Sequence, residues 1–282
     1  MSARTYGELA AAEQEGRVHV AHLRKVPSQA SAAGQWVDLS MASGNPVPNF
    51  YASSPLVGAP LESREGIFFG DAVSPSTRYL KELVLCSPTA GLVGAYQLLD
   101  YLLYYPFVDL DTTDAQVLET PVPLARYSDG DGVRLMLVAQ VPQLGGGSLS
   151  YDYVNQDGVT RSSPVFSMNT TADSIATVIT SQQGAAAGGR LLAPLADGDT
   201  GIRSLVSINP LSVNGGLAAA VLVRPLADAS IREINVPDER SYVHERPRPP
   251  IVLDGAYLNL VVNCAATVAA GQVSGRATFV WT

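Results

Sequence analysis

The sequence predicts a mainly β chain: a β-sandwich or jelly-roll-like domain with one buried helix, a short N-terminal helix and extended arms. Three observations point there. Many short stretches alternate apolar and polar residues with a period of two. Gly, Pro, Asn and Asp punctuate them at turn-like intervals. The 282 residues are 46% hydrophobic and only 16% charged, enough apolar material for a sizeable core and too little charge for bulk disorder.

The elements follow in chain order. Thr5 and Glu8 have capping-box spacing, Leu9 to Ala12 favour helix, and Gly16 stops it. Val18 to Val26 reads as a first strand. From Pro27 to Ser76 the chain is rich in Pro, Gly, Ser and Asn, and Pro46, Pro48, Pro55 and Pro60 exclude a long helix or a central strand. The same stretch carries Trp36, Phe50, Tyr51, Phe68 and Phe69. A flexible linker has no need of so many aromatics, so residues 1–76 read as a helix plus an extended arm pinned against a surface. Residues 77–282 then form the β domain.

Tyr79 to Cys86 resembles a strand. Ser87-Pro88 offers an N-cap followed by proline at the first helical position. Leu92, Tyr96, Leu99 and Leu103 then recur at helical spacing, Leu98 and Leu102 widen the stripe, and Pro106 ends it. This spacing predicts a helix over about 88–105, buried against a sheet. Beyond Asp109 strands are expected at Arg134–Val141, Ser148–Val154, Val159–Val165, Ser174–Thr180, Ser204–Ile208, Leu217–Val223, Tyr257–Cys264 and Gly275–Thr282. Asn155-Gln156-Asp157-Gly158 is a hairpin turn. Residues 224–250 hold five prolines and much local charge, and read as a second irregular arm.

The net charge of −8 repels a phosphate backbone, which argues against direct nucleic-acid binding. The run His244-Glu245-Arg246-Pro247-Arg248 is too short to reverse it. Lys25 and Lys81 are the two lysines; the other basic residues are arginine. No stretch of about 18 apolar residues offers a membrane-spanning helix. Met1 to Gly16 has no apolar run of the kind a signal peptide needs. Cys86 and Cys264 read as buried free thiols.

Chemistry-bearing motifs are few. His19, His22 and His244 lack the further ligands a zinc site needs. No G-x-S-x-G, G-x-G-x-x-G or P-loop pattern occurs, and Gly145-Gly146-Gly147 and Gly188-Gly189 read as loops. The acidic runs at 109–114, 129–131 and 197–199 are oxygen-rich, as a Ca²⁺ site is, but Asp-Gly runs are also good turns. No catalytic residue, metal ligand or cofactor is assigned, and the chain reads as a non-enzyme.

One set of residues carries a resemblance. Gly34-Gln35-Trp36-Val37-Asp38-Leu39-Ser40 is followed by Gly44-Asn45-Pro46, then Pro48-Asn49-Phe50-Tyr51. Next come Arg64-Glu65-Gly66-Ile67 and Leu98-Leu99-Asp100-Tyr101-Leu102-Leu103-Tyr104-Tyr105-Pro106-Phe107-Val108-Asp109. Over roughly the first 125 residues this resembles uncharacterised structural proteins of tailed bacteriophages. The Gly/Ala/Val-rich remainder is similar in style to capsid-decoration and head-fibre proteins.

The resemblance implies a virion protein assembled in the bacterial host cytoplasm. It would be a decoration (cement) protein that binds the major capsid protein or other virion proteins and self-associates, for instance as a trimer. Trp36, Phe50, Tyr51, Phe68 and Phe69 are the candidate anchors, and each reads equally well as ordinary core. The alternatives are a head-fibre or tail component binding a host receptor or glycan, and a carboxylate-based glycan hydrolase.

Overall fold

A computed structural model describes residues 6–28, 32–119, 122–143, 145–168, 174–179, 190–245, 248–267 and 270–282. Thr5, Thr180, Gly188-Gly189, Arg246 and Pro247 lie outside the described residues. The chain begins α1 (Tyr6–Gln14), β1 (Val18–Val26), β2 (Trp36–Asp38), β3 (Ser43–Asn45), β4 (Ala59–Pro60) and β5 (Arg78–Cys86). It continues through β6 (Gly94–Asp109), β7 (Gln116–Val117), β8 (Arg134–Val141), β9 (Ser148–Asn155), β10 (Thr160–Ser162) and β11 (Phe166–Ser167). It ends with β12 (Ile202–Pro210), β13 (Leu217–Ile231), β14 (Asp238–Ser241), α2 (Tyr242–Glu245), β15 (Ile251–Val252), β16 (Tyr257–Cys264) and β17 (Val273–Trp281).

These strands make three antiparallel sheets, so the chain is mainly β as expected. The first runs β14-β5-β17-β1-β3, with β15 beside β5. The central one runs β2-β16-β6-β13-β8, with β4 beside β6, and the third runs β10-β9-β12-β7, with β11 beside β9. One large apolar cluster joins the first sheet to the central one, through Leu83, Leu85 and Phe279 against Tyr96, Leu258 and Leu260. A second joins the central sheet to the third, through Leu135, Leu137 and Leu222 against Tyr151, Tyr153 and Ile208. α1 packs Leu9 and Ala12 onto Tyr79 and Val280 in a small third cluster.

The helix expected over 88–105 is not there. A 3-10 turn at Ala90–Leu92 leads instead into β6, a 16-residue strand paired with β13 along its length and with β16 over Gly94–Tyr101. Being central and covered on both faces, β6 is apolar nearly throughout, and a doubly buried strand has no polar face to show a period of two. Ser87 caps no helix: its hydroxyl accepts from Thr89 N and donates to Gln272 O. Pro106 does not end the element either. It lies in a bulge where Val108 and Tyr105 face Ala218 and Ala220, the place in a sheet where proline is tolerated. Gly94 opens the strand at φ +152°, where a Cβ would collide with the carbonyl oxygen of Asn263.

The irregular stretch expected from residue 224 also begins later, because β13 continues through a register shift at Pro225/Ala227 to Ile231. The segment from 36 to 60 supplies β2, β3 and β4, which pair with β16, β1 and β6.

Residues 176–179 close the central sheet. Ala139 N donates to Thr177 O and Ile179 N to Leu137 O on the β8 side; Asp38 N donates to Ala176 O and Val178 N to Trp36 O on the β2 side. The pairings therefore run from β2 through β16, β6, β13, β8 and residues 176–179 back to β2. Closure removes two edges that would otherwise present unpaired backbone groups.

Candidate functional site

A densely bonded polar centre lies where β2 ends. Asp38 is fully buried and caps the turn Leu39–Met41, accepting from Ser40 N at 2.9 Å and from Ser40 Oγ at 2.6 Å. Tyr101 Oη, from β6, donates to Asp38 Oδ1 at 2.7 Å, and Tyr51 Oη donates to Oδ2 at 2.5 Å. Burial, reinforced by the Asp38 charge, pushes both phenols well above the ordinary tyrosine range, so both stay protonated donors. Close by, the buried ammonium of Lys25 donates to Ala42 O at 3.1 Å and Pro46 O at 2.8 Å. Burial lowers its pKa to about 8, against the opposing pull of Asp38. These groups bond one another and the backbone of residues 38–51, and so fasten that segment to the body.

Two further buried charges do similar work. Asp100, on β6, takes Arg126 in a bidentate pair (Nη2 at 2.8 Å, Nε at 3.1 Å) and accepts from Tyr257 N. Burial raises its pKa, and the Arg126 bonds oppose that rise. Arg78, on β5, donates to Asp254 Oδ1 at 3.2 Å and to Asp71 O, with its guanidinium carbon 4.7 Å from the Phe69 ring centroid.

The candidate anchors divide. Tyr51 and Phe69 belong to the core, Phe69 packing on Phe279 with ring centroids 5.7 Å apart. Trp36 is half-buried on β2. Phe50 and Phe68 are 54% and 51% exposed. Each exposed ring thus has a buried aromatic as its chain neighbour. Val47, on the Phe50 side, is also exposed.

One carboxylate of each acidic loop is bonded within the protein. Asp109 accepts from Asp111 N, Asp129 from Asp131 N, and Asp199 from Tyr153 Oη and Asn155 Nδ2. Among the described residues no group of three or more His, Cys, Asp or Glu comes together. His19 and His22 are three apart on β1 and so project to opposite faces, and His244 stacks near Tyr6. Cys86 is half-buried and Cys264 buried.

No family model, curated protein or solved structure matches this chain.

Surface depressions lie beside both exposed rings. One of about 360 Å³ lies among Val47, Pro48, Asn49, Phe50, Glu65 and Tyr104; the other, of about 420 Å³, among His19, Phe68, Asp71, Arg78 and Trp281. A smaller cavity of about 120 Å³ beside Asp38 is bounded by Ser28 and Ser174, at the limits of the described residues. Sequence reading missed Lys25, Asp38, Arg78, Asp100 and Arg126. Asp38-x-Ser40 alone had a local signal, the Asx-type cap of a turn; the others meet partners remote in sequence.

Proposed function

We propose that the chain is a structural protein of a tailed-bacteriophage virion, a capsid decoration protein that self-associates and reinforces the head through apolar contacts. The observation that carries this reading is the pairing of exposed Phe50 with buried Tyr51. Tyr51 is fixed through its hydroxyl to Asp38, so Phe50 and Val47 are held out on a rigid backing. An exposed aromatic that is already immobilised loses little entropy on docking, which is what a load-bearing contact needs. The buried charges fit the same reading, because they fasten segments of the chain together. The acidic net charge suits a shell's outer surface better than its DNA-filled interior.

The test is binding of the purified protein to purified phage heads lacking it, followed by co-sedimentation. Phe50→Ser and Val47→Ser should weaken association at least tenfold while leaving the thermal midpoint within a few degrees of wild type. Unchanged association of the double variant would overturn the assigned contact, and failure of the wild type to bind heads would overturn the reading itself.

A further inference from the structure

The trough beside Phe68 has a chemistry of its own. Its walls come from β1 (His19), β5 (Arg78), β17 (Trp281) and the segment Phe68–Val73. Its volume of about 420 Å³ falls in the range of small-ligand sites, ~300–1,000 Å³. Phe68 stands edge-on to the His19 imidazole, centroids 5.7 Å apart at 88°, with half its surface open, and Trp281 is partly open. Gly70, at φ +95°, passes His19 so closely that a Cβ would touch the ring at 3.4 Å.

The charges around the trough are unequal in availability. Arg78 has a side chain only 1% exposed; Nη1 is spent on Asp254, Nη2 on Asp71 O, and its planar face on Phe69. Its Nε has no hydrogen-bond partner but is buried, so the guanidinium offers no solvent-facing donor to an incoming anion. The Asp71 carboxylate is exposed at the rim and makes no hydrogen bond among the described residues. The trough therefore offers two aromatic surfaces, an imidazole and one free carboxylate acceptor.

We infer that this trough is a binding site for a neutral carbohydrate. The apolar C–H face of a pyranose stacks on Phe68 and Trp281, as aromatic rings favour. Two adjacent sugar hydroxyls donate to Asp71, in charge-assisted bonds stronger than neutral ones. Acidic sugars and phosphates are disfavoured because Asp71 repels them and Arg78 is already engaged. The site is separate from the Phe50 contact, so the two readings stand or fall independently.

Saturation-transfer NMR tests this with oligosaccharides ending in mannose, galactose, glucose or N-acetylglucosamine, set beside sialylated and glucuronic-acid-ended ones. At least one neutral oligosaccharide should bind, with affinity reduced at least tenfold by Phe68→Ala and by Asp71→Asn, and unchanged by Phe50→Ala. Asp71→Asn keeps the side-chain shape and the backbone carbonyl that holds Arg78, so it leaves the fold intact. No binding of any neutral oligosaccharide at millimolar concentration, binding of the acidic ones alone, or equal binding by both trough variants would overturn the assignment.

Discussion

Tyr101 and Asp38 meet at 2.7 Å in the interior although 63 residues separate them. The bond ties the central strand β6 to the end of β2, and Tyr51 approaches the other carboxylate oxygen. One buried carboxylate thus joins three parts of the chain, and every donor aimed at it is itself removed from water.

Substitution of Asp38 should therefore cost more than any one of its hydrogen bonds. Asp38→Ala removes the shared acceptor of two phenols, Ser40 N and the Ser40 hydroxyl, leaving only the Ser40–Tyr51 hydroxyl contact, and is expected to lower unfolding free energy by on the order of 3 kcal/mol or more. Tyr51→Phe, which removes one donor, should cost about 1.5–3 kcal/mol. Urea-denaturation midpoints of the single and double variants give the coupling; strictly additive losses would show that the groups do not act together.

Lys25 gives the protein a pH signature. Its folded pKa is lowered from 10.5 to about 8, so between those values the unfolded chain binds more protons than the folded one. Unfolding free energy from this group therefore rises with pH across that window, by roughly 3 kcal/mol at most, because the folded state no longer shelters a buried charge. A neutral amine still has two N–H groups for Ala42 O and Pro46 O. Near pH 10 the opposite contribution of the buried tyrosines sets in, so pH 8 to 9.5 is the informative range. Lys25→Met should flatten the rise in that range; an unchanged slope would locate its origin elsewhere.

Closure by residues 176–179 should protect against aggregation. Val178→Asp places a charge at a fully buried position between two strand edges. It is expected to destabilise by roughly 3 kcal/mol or more and to expose the edges of β2 and β8 to pairing between molecules. Light scattering during mild heating should rise earlier than in a surface control such as Val159→Asp.

Removal of residues 27–76 should abolish folding rather than merely detach a contact arm. That stretch contributes Leu39, Met41, Tyr51, Leu61, Ile67 and Phe69 to the main core. Loss of dispersed amide NMR signals is the expected result. A folded truncated protein would show that these side chains are dispensable to the body.

How far the sequence was legible follows from how each element is covered. β1, β8 and β16 run over the residues their patterns predict, and Gly158 takes the positive φ expected of the hairpin turn. β9 is plain because its residues alternate between buried and half-buried. β6 was misread because both its faces are covered, so its apolar residues fall at i, i+3 and i+4 as readily as at i, i+2. Its aromatics Tyr96, Tyr101, Tyr104, Tyr105 and Phe107 were the signal that favoured strand. Among the aromatics of residues 36–69, which ring turns inward depends on partners such as Asp38 and Arg78. The pairs Asp100–Arg126 and Arg78–Asp254 join residues 26 and 176 positions apart, and such meetings leave no local pattern.

The central claim, that this is a many-copy structural protein of a phage head, is tested most directly by cryo-electron microscopy of the particle. The account predicts density for the three antiparallel sheets repeated over the outer shell, with Val47 and Phe50 facing the capsid subunits. Particles that lack the chain, or carry it only at the tail, would contradict it.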